Sequence, residues 1–198
     1  MAFGLQPLAA LAVMNYLVHL YLSDPDPEVR LGNLLGDWVK GWLDERAWPE
    51  GVLRGLRQHR MVDRHSVTSP AVRRSKARID ERFGLLKPVL VDIFYDHLLA
   101  AHWGDYHDQS LESFSREIYR LFSTYDHLLP TAFRPVTRRM KRYNWLVSYR
   151  EPATISMVLQ RISDRLRRPN PLGEGVEELD RQYDGFREDF DRFLTEFN

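Results

Sequence analysis

An all-α, single-domain helical bundle is the fold that this sequence predicts, and three observations predict it. Apolar residues recur at three- and four-residue spacing through most of the chain. No segment alternates apolar and polar residues for long, and no Asn-Gly or Asp-Gly turn separates two β-branched runs. At 198 residues and 43% hydrophobic, the chain is long enough to bury one sizeable core.

The periodicity places helices at about 12–22, 30–44, 50–67, 70–82, 86–103, 111–125, 131–148, 152–166 and 175–197. The punctuation agrees with these spans. Asp24, Pro25, Asp26 and Pro27 form a loop after the first helix, Pro49 and Pro88 suit first helical turns, and Pro169, Asn170, Pro171 and Gly173 break the chain before the last helix. The first helix grows from a stretch, Leu5 to Leu22, without a charged residue. It lacks a basic leader and is interrupted by Asn15 and His19, so neither a signal peptide nor a membrane span is expected.

Net charge is zero, but the two ends are acidic and the middle is basic. That asymmetry suits an anionic partner at the middle of the chain, and a solvated basic face equally well. With no cysteine, disulfides and thiolate ligands or nucleophiles are excluded. The absence fits a reducing cytoplasm, and any metal falls to His, Asp and Glu.

Three segments set polar groups on faces that should be core. In RLGNLLGDWVKG (30–41), Leu31, Leu34, Leu35, Trp38, Val39 and Trp42 share one helical face, and Asn33, Asp37 and Lys40 share the other. Its glycines cost about 1 kcal/mol each relative to alanine. They make sense as room beside Asp37 or as a close helix contact. In the third helix Val52, Leu56 and Val67 define an apolar face that His59 and Asp63 join, one turn apart. Such a pair must bond to each other, to an arginine or to a metal. The fifth helix, apolar nearly all round, carries Asp92, Asp96 and His97, with His102 beyond. Carboxylates one turn apart repel unless a proton or a cation sits between them. Three helices turning acids and histidines inward point to a shared, oxygen-rich metal site suited to phosphate-ester hydrolysis. Basic residues flank it from Arg54 to Lys87, and recur in RPVTRRMKRY (134–143) and RLRR (165–168). No nucleic-acid recognition motif, P-loop or serine-nucleophile motif appears.

MNYLVHLYLS, LGNLLGDWVKG, GLRQHRMVD and VDIFYDHLLAAHW together resemble the acyl carrier protein phosphodiesterases, and the resemblance covers nearly everything after residue 13. It implies an HD-domain-like, all-α hydrolase that uses Mn2+, with Mg2+ or Fe as alternative ions, to remove 4'-phosphopantetheine from holo-acyl carrier protein. Carried over by motif, its positions are His19, Asn33, Asp37, Lys40, His59, Asp63, Asp92, Asp96, His97 and His102. On this reading His59, Asp63, Asp96 and Asp37 hold the metal, and Asp37, His19, Lys40 and His97 are the catalytic set. Asn33, Arg57, Arg60, Arg64 and Arg74 contact substrate, and the basic surface at 54–78 docks the acidic carrier protein. Residues 1–13 read as an upstream extension to a domain at 14–198. The chain departs from its relatives in carrying Ser66 and Val67 where they have a Thr-Asp pair, with His65 adjacent. Two other readings stay open: an HD-type phosphohydrolase of a small phosphoester, and a non-catalytic helical adaptor whose buried acids pair with arginines.

Overall fold

A computed structural model describes residues 16–197. The expected extension at 1–13 and the expected helix start at 12 lie outside the described residues. Twelve α-helices and no strand are found among the described residues. They are α1 (Tyr16–Tyr21), α2 (Pro27–Leu35), α3 (Glu50–Thr68), α4 (Pro70–Arg78), α5 (Lys87–Ala101) and α6 (Trp103–Tyr106). After these come α7 (Leu111–Thr124), α8 (Arg134–Tyr143), α9 (Trp145–Ser148), α10 (Pro152–Arg165), α11 (Val176–Arg181) and α12 (Tyr183–Thr195).

The central element is α5, buried on nearly every side because its sequence offers apolar residues all round. α1, α4, α10 and α12 pack against it, and one continuous apolar cluster joins residues from α1 to α12. α4 is tied to α12 by a buried acid: Asp189 accepts from the Nε atoms of Arg74 and Arg78, each at 2.8 Å, and from the Ser75 hydroxyl at 3.3 Å. A buried carboxylate needs such partners to offset its desolvation.

α2 and α3 form the tightest pair. Gly32 and Gly55 face each other across the contact, so a Cβ on Gly32 would overlap the Val52 carbonyl and stand 2.9 Å from the Gly55 Cα. The mirror clash, of a Gly55 Cβ with the Val29 carbonyl, is as severe. The glycines of this segment therefore serve a close helix contact. No helix among the described residues is long and apolar enough to cross a membrane.

The expected 30–44 helix is corrected at both ends. Asp26 caps α2 by accepting from the Glu28 and Val29 amides, and Pro27 opens the first turn, so the helix starts early. It ends at Gly36, and the chain runs on through turns and bends to Pro49. Trp38 still reaches the core, where its indole N–H donates to the Tyr16 hydroxyl at 3.0 Å. Trp42, expected on the core face, is 92% exposed because the backbone has left the helix before it. Val67 is likewise exposed, at 74%, at the end of α3. The expected 131–148 helix breaks at Asn144, which is left-handed (φ 44°), and the expected 175–197 helix breaks at Gln182.

Gly32→Ala should therefore cost about 2–4 kcal/mol, because the added methyl meets backbone that cannot step aside. Trp42→Ala should leave the melting temperature within about 1 °C. Thermal melts of the two variants check the corrected segment, and a large loss at Trp42 would restore the longer helix.

Candidate functional site

His19 enters from α1, His59 and Asp63 from α3, and Asp37 from the turn that follows α2. α1 is positioned by Asp96 of α5, whose carboxylate oxygens accept the Leu17 and Val18 amides at 3.1 and 2.9 Å. These amides start a short helix and have no partner within it. Asp96 thereby fastens α1, and His19 with it, to the central helix. α3 is set by its close approach to α2, and Gly36 completes the fit, since a Cβ there would overlap the His59 ring.

The two imidazoles stack with centroids 4.0 Å apart at 20°. Both are buried. His19 Nε2 stands 3.3 Å and His59 Nε2 3.4 Å from the carboxylate oxygens of Asp63, and Asp37 Oδ1 is 3.9 Å from His59 Nε2. At these distances Asp63 is the sole carboxylate neighbour of His19 Nε2 and the nearer of two carboxylates to His59 Nε2 among the described residues, and no well-formed hydrogen bond reaches either atom or His59 Nδ1. Buried polar atoms without partners are rare in folded proteins, and three in one place call for an occupant. His19, His59 and Asp63 each offer one ligand atom, all within 4.8 Å of one another. Two imidazole nitrogens with carboxylate oxygens suit a divalent transition ion. Asp63, 52% exposed at the side chain, leaves the set open to solvent.

A buried polar chain orients His19. Its Nδ1–H donates to Asn33 Oδ1 at 3.3 Å, Asn33 Nδ2 donates to Gln58 Oε1 at 3.0 Å, and Gln58 Nε2 donates to the Leu22 carbonyl at 2.9 Å. Holding the proton on Nδ1 leaves the Nε2 lone pair facing Asp63. The protonation states agree. Burial, and then the neighbouring His59, lowers His19, so it is neutral at pH 7. Burial alone raises the Asp63 carboxyl, but the two imidazoles more than offset this and hold it well below the usual carboxylate range.

Asp92 adds a third acid from α5. Burial first, then the charges of Asp63 and Asp37, push its carboxyl up to about 7, with Lys76 opposing. It makes no ion pair among the described residues, and Lys76 offsets its charge only in part. Helical spacing found Asp92 but gave it no role. Gln58 was missed altogether, although it immediately precedes His59 in GLRQHRMVD.

Other expected site residues lie elsewhere. Asp96, expected among the ligands, gives its oxygens to α1. His97, expected in the catalytic set, sends Nδ1 to the Tyr149 carbonyl at 2.8 Å, and His102 meets the Tyr183 hydroxyl at 2.9 Å. Asn33, expected to contact substrate, is wholly buried with both ends of its amide engaged. Lys40 is exposed at the rim, 3.1 Å from Asp37 Oδ1. Of the substrate arginines, Arg57 pairs with Glu45, Arg60 donates to the Val39 carbonyl at 3.0 Å and Arg74 holds Asp189. Arg64 alone among them is exposed with no partner among the described residues. His65 pairs with Glu196, 2.8 Å away. No arginine pairs with Asp63, Asp92 or Asp96 among the described residues, which removes the main support for the adaptor reading.

The family model described as "Acyl carrier protein phosphodiesterase" matches residues 14–197. Similar proteins of that name include one from Photorhabdus laumondii, 29% identical over 93% of this chain and 91% of its own length. Another, from Serratia proteamaculans, is 30% identical over 92% of this chain and 95% of its own. One from Escherichia coli O6:K15:H31 is 29% identical over 91% of this chain and 93% of its own. No solved structure matches.

The raised carboxyl of Asp92 gives a pH-dependent prediction. Between the ordinary carboxyl range, near pH 4, and about pH 7 the folded protein keeps a proton that the unfolded chain releases. Stability of the metal-free protein therefore falls as pH rises through that window. Asp92→Asn removes this fall, so the gap between the variant's melting temperature and the wild type's should widen in the variant's favour from pH 5 to pH 8. A constant gap would contradict the placement of Asp92 against Asp63 and Asp37.

Proposed function

We propose that this chain, which belongs to the acyl carrier protein phosphodiesterase family, removes 4'-phosphopantetheine from holo-acyl carrier protein in a metal-dependent hydrolysis. The observation that carries the metal dependence is the set of buried imidazole nitrogens without partners, turned toward one carboxylate. On this reading His19, His59 and Asp63 are the ligands and Asp37 is the acid beside them. His19 takes the place that the sequence reading gave to Asp96, whose part is to hold α1. Mn2+ is the ion proposed, since the oxygen-containing, thiolate-free donor set suits it.

A divalent cation bound there supplies neutralising charge for the phosphoryl oxygens and Lewis acidity for the attacking water. The chain's own groups do the rest. A water attacks phosphorus and sheds a proton to solvent at the open side of the site, the bond from phosphorus to the carrier serine oxygen breaks, and the serine oxygen gains a proton as it leaves. Asp92, a carboxyl that burial shifts toward its protonated form, is the group we assign to hold that proton. Lys40, exposed beside Asp37, is the cation we assign to stabilise charge developing on the phosphoryl group. Asn33 and Gln58 keep His19 in the tautomer that leaves its Nε2 lone pair free. The site opens at Asp63, which leaves a path for a phosphodiester carried on a protein surface.

The direct test follows the intact mass of holo-acyl carrier protein incubated with the protein and Mn2+. The mass of phosphopantetheine should be lost, EDTA should stop the loss, and Asp63→Ala should slow it by about a thousandfold. Retention of the full mass would overturn the reaction, and equal loss with EDTA would overturn the metal dependence.

Added Mn2+ at about a hundred times its dissociation constant stabilises the native state by roughly 2.7 kcal/mol, which is about 5–10 °C in a domain of this size. His59→Ala should abolish that rise. A rise of the same size in the variant would place the ion elsewhere.

A further inference from the structure

We propose that the exposed face of α8, Arg138, Arg139, Lys141 and Arg142, is the surface on which the acidic carrier protein docks. The inference rests on the carrier-protein reading above. It moves the docking surface away from residues 54–78, where the sequence had suggested it. The reason is that most of the arginine charge there is already spent: Arg54, Arg57, Arg74 and Arg78 face Asp26, Glu45 and Asp189 of this same chain, and the cations left without an acid among the described residues, Arg60, Arg64, Arg73 and Lys76, are divided between α3 and α4. A positive group that faces its own acid presents little field to a partner.

α8 is different. Its inner side, Phe133, Thr137 and Met140, is buried, and its four cations stand exposed on the other side. Only Arg134, at the start of the helix, meets an acid, Asp126 at 3.1 Å. Lys141 donates to the Ser123 hydroxyl at 2.6 Å, Arg139 lies over the Trp145 ring at 6.0 Å and Arg142 over the Tyr143 ring at 5.5 Å. None of the four lies within 4 Å of a carboxylate among the described residues. Arg138 is also three and four residues from Lys141 and Arg142, spacings at which like charges weaken a helix. The favourable field at a helix C-terminus reaches only the last turn and leaves Arg138 and Arg139 without compensation. An anionic partner offsets all four.

The helix is also in the right place. Phe133, which begins it, packs against Trp38 with ring centroids 5.1 Å apart, and Trp38 adjoins Asp37. Met140 lines a small cavity with Tyr16 and Leu17 of α1, the helix that carries His19. α8 thus touches both the helix that carries His19 and the turn that carries Asp37. A folded acidic protein suits a rigid helix face with aromatic neighbours, and charge of this kind acts mainly on encounter and affinity.

The test compares wild type with Arg138→Glu/Lys141→Glu/Arg142→Glu and with a control of equal charge change, Arg165→Glu/Arg167→Glu/Arg168→Glu, on exposed residues near the end of α10. Binding of fluorescent carrier protein is measured at low and high salt, together with kcat and KM. The α8 variant should melt like wild type, weaken binding and raise KM by about tenfold or more at low salt, flatten the salt dependence, and change kcat by less than about twofold. The control should bind within about twofold of wild type. Wild-type binding by the α8 variant, or equal loss in the control, would overturn the docking surface. So would an RNA oligonucleotide that binds through α8 while the variant still binds carrier protein normally. Cleavage that survives in a variant with unchanged binding sinks the surface and keeps the reaction; α8-dependent binding without cleavage sinks the reaction and keeps the surface.

Discussion

Two imidazole rings stacked 4.0 Å apart in the protein interior, with nitrogens that find no hydrogen bond, constrain everything around them. Neither ring can move without disturbing packing. His59 is pressed against Gly36, where even a methyl group would collide with it, and the helix that bears it lies backbone to backbone on α2 at Gly32 and Gly55. His19 sits on a six-residue helix too short to be stable alone, which holds its place because Asp96 takes its first amides. Imidazoles that are desolvated and lack well-formed partners carry a cost that a bound ligand would offset.

Around that pair the acids divide by environment. Asp63 lies against both rings and stays ionised, Asp92 is pushed by burial and then by the charges of Asp63 and Asp37 to keep a proton to about pH 7, and Asp96 spends its oxygens on backbone. Three inward carboxylates on two helices thus have three different environments. A pair of neighbouring acids whose affinities for protons are driven apart is the arrangement that hydrolysis needs, one group staying charged beside a cation and the other able to give up a proton.

Much of this could be read from the sequence, and what could not has physical reasons. The length and burial of α3 and α5 followed from periodicity, because a helix buried in a core repeats its apolar residues at the helical spacing. The end of α2 did not. Trp38 and Val39 continue the spacing of Leu31, Leu34 and Leu35, and both still pack on the core, although the chain has left the helix at Gly36. Side-chain spacing does not reveal that the backbone beneath has turned. Asp37 was placed on a helical face with Asn33 and Lys40, but the helix ends before it and Asp37 lies in the turn that follows. The role of Asp96 was hidden because its partners, the Leu17 and Val18 amides, lie 79 and 78 residues away. An inward carboxylate looks the same in sequence whether a cation or a helix start awaits it. The arginines misled for the same reason, since Asp189, which claims two of them, is 115 and 111 residues distant.

The central claim is that His19 and His59 hold one ion between them and Asp63. Pulsed electron paramagnetic resonance of the Mn2+-loaded protein tests it most directly, because directly bound nitrogen leaves a resolvable coupling on the manganese signal. The account predicts coupling to two imidazole nitrogens in the wild type and to one in His19→Ala. A signal from oxygen ligands alone, or one unchanged by that substitution, would contradict it.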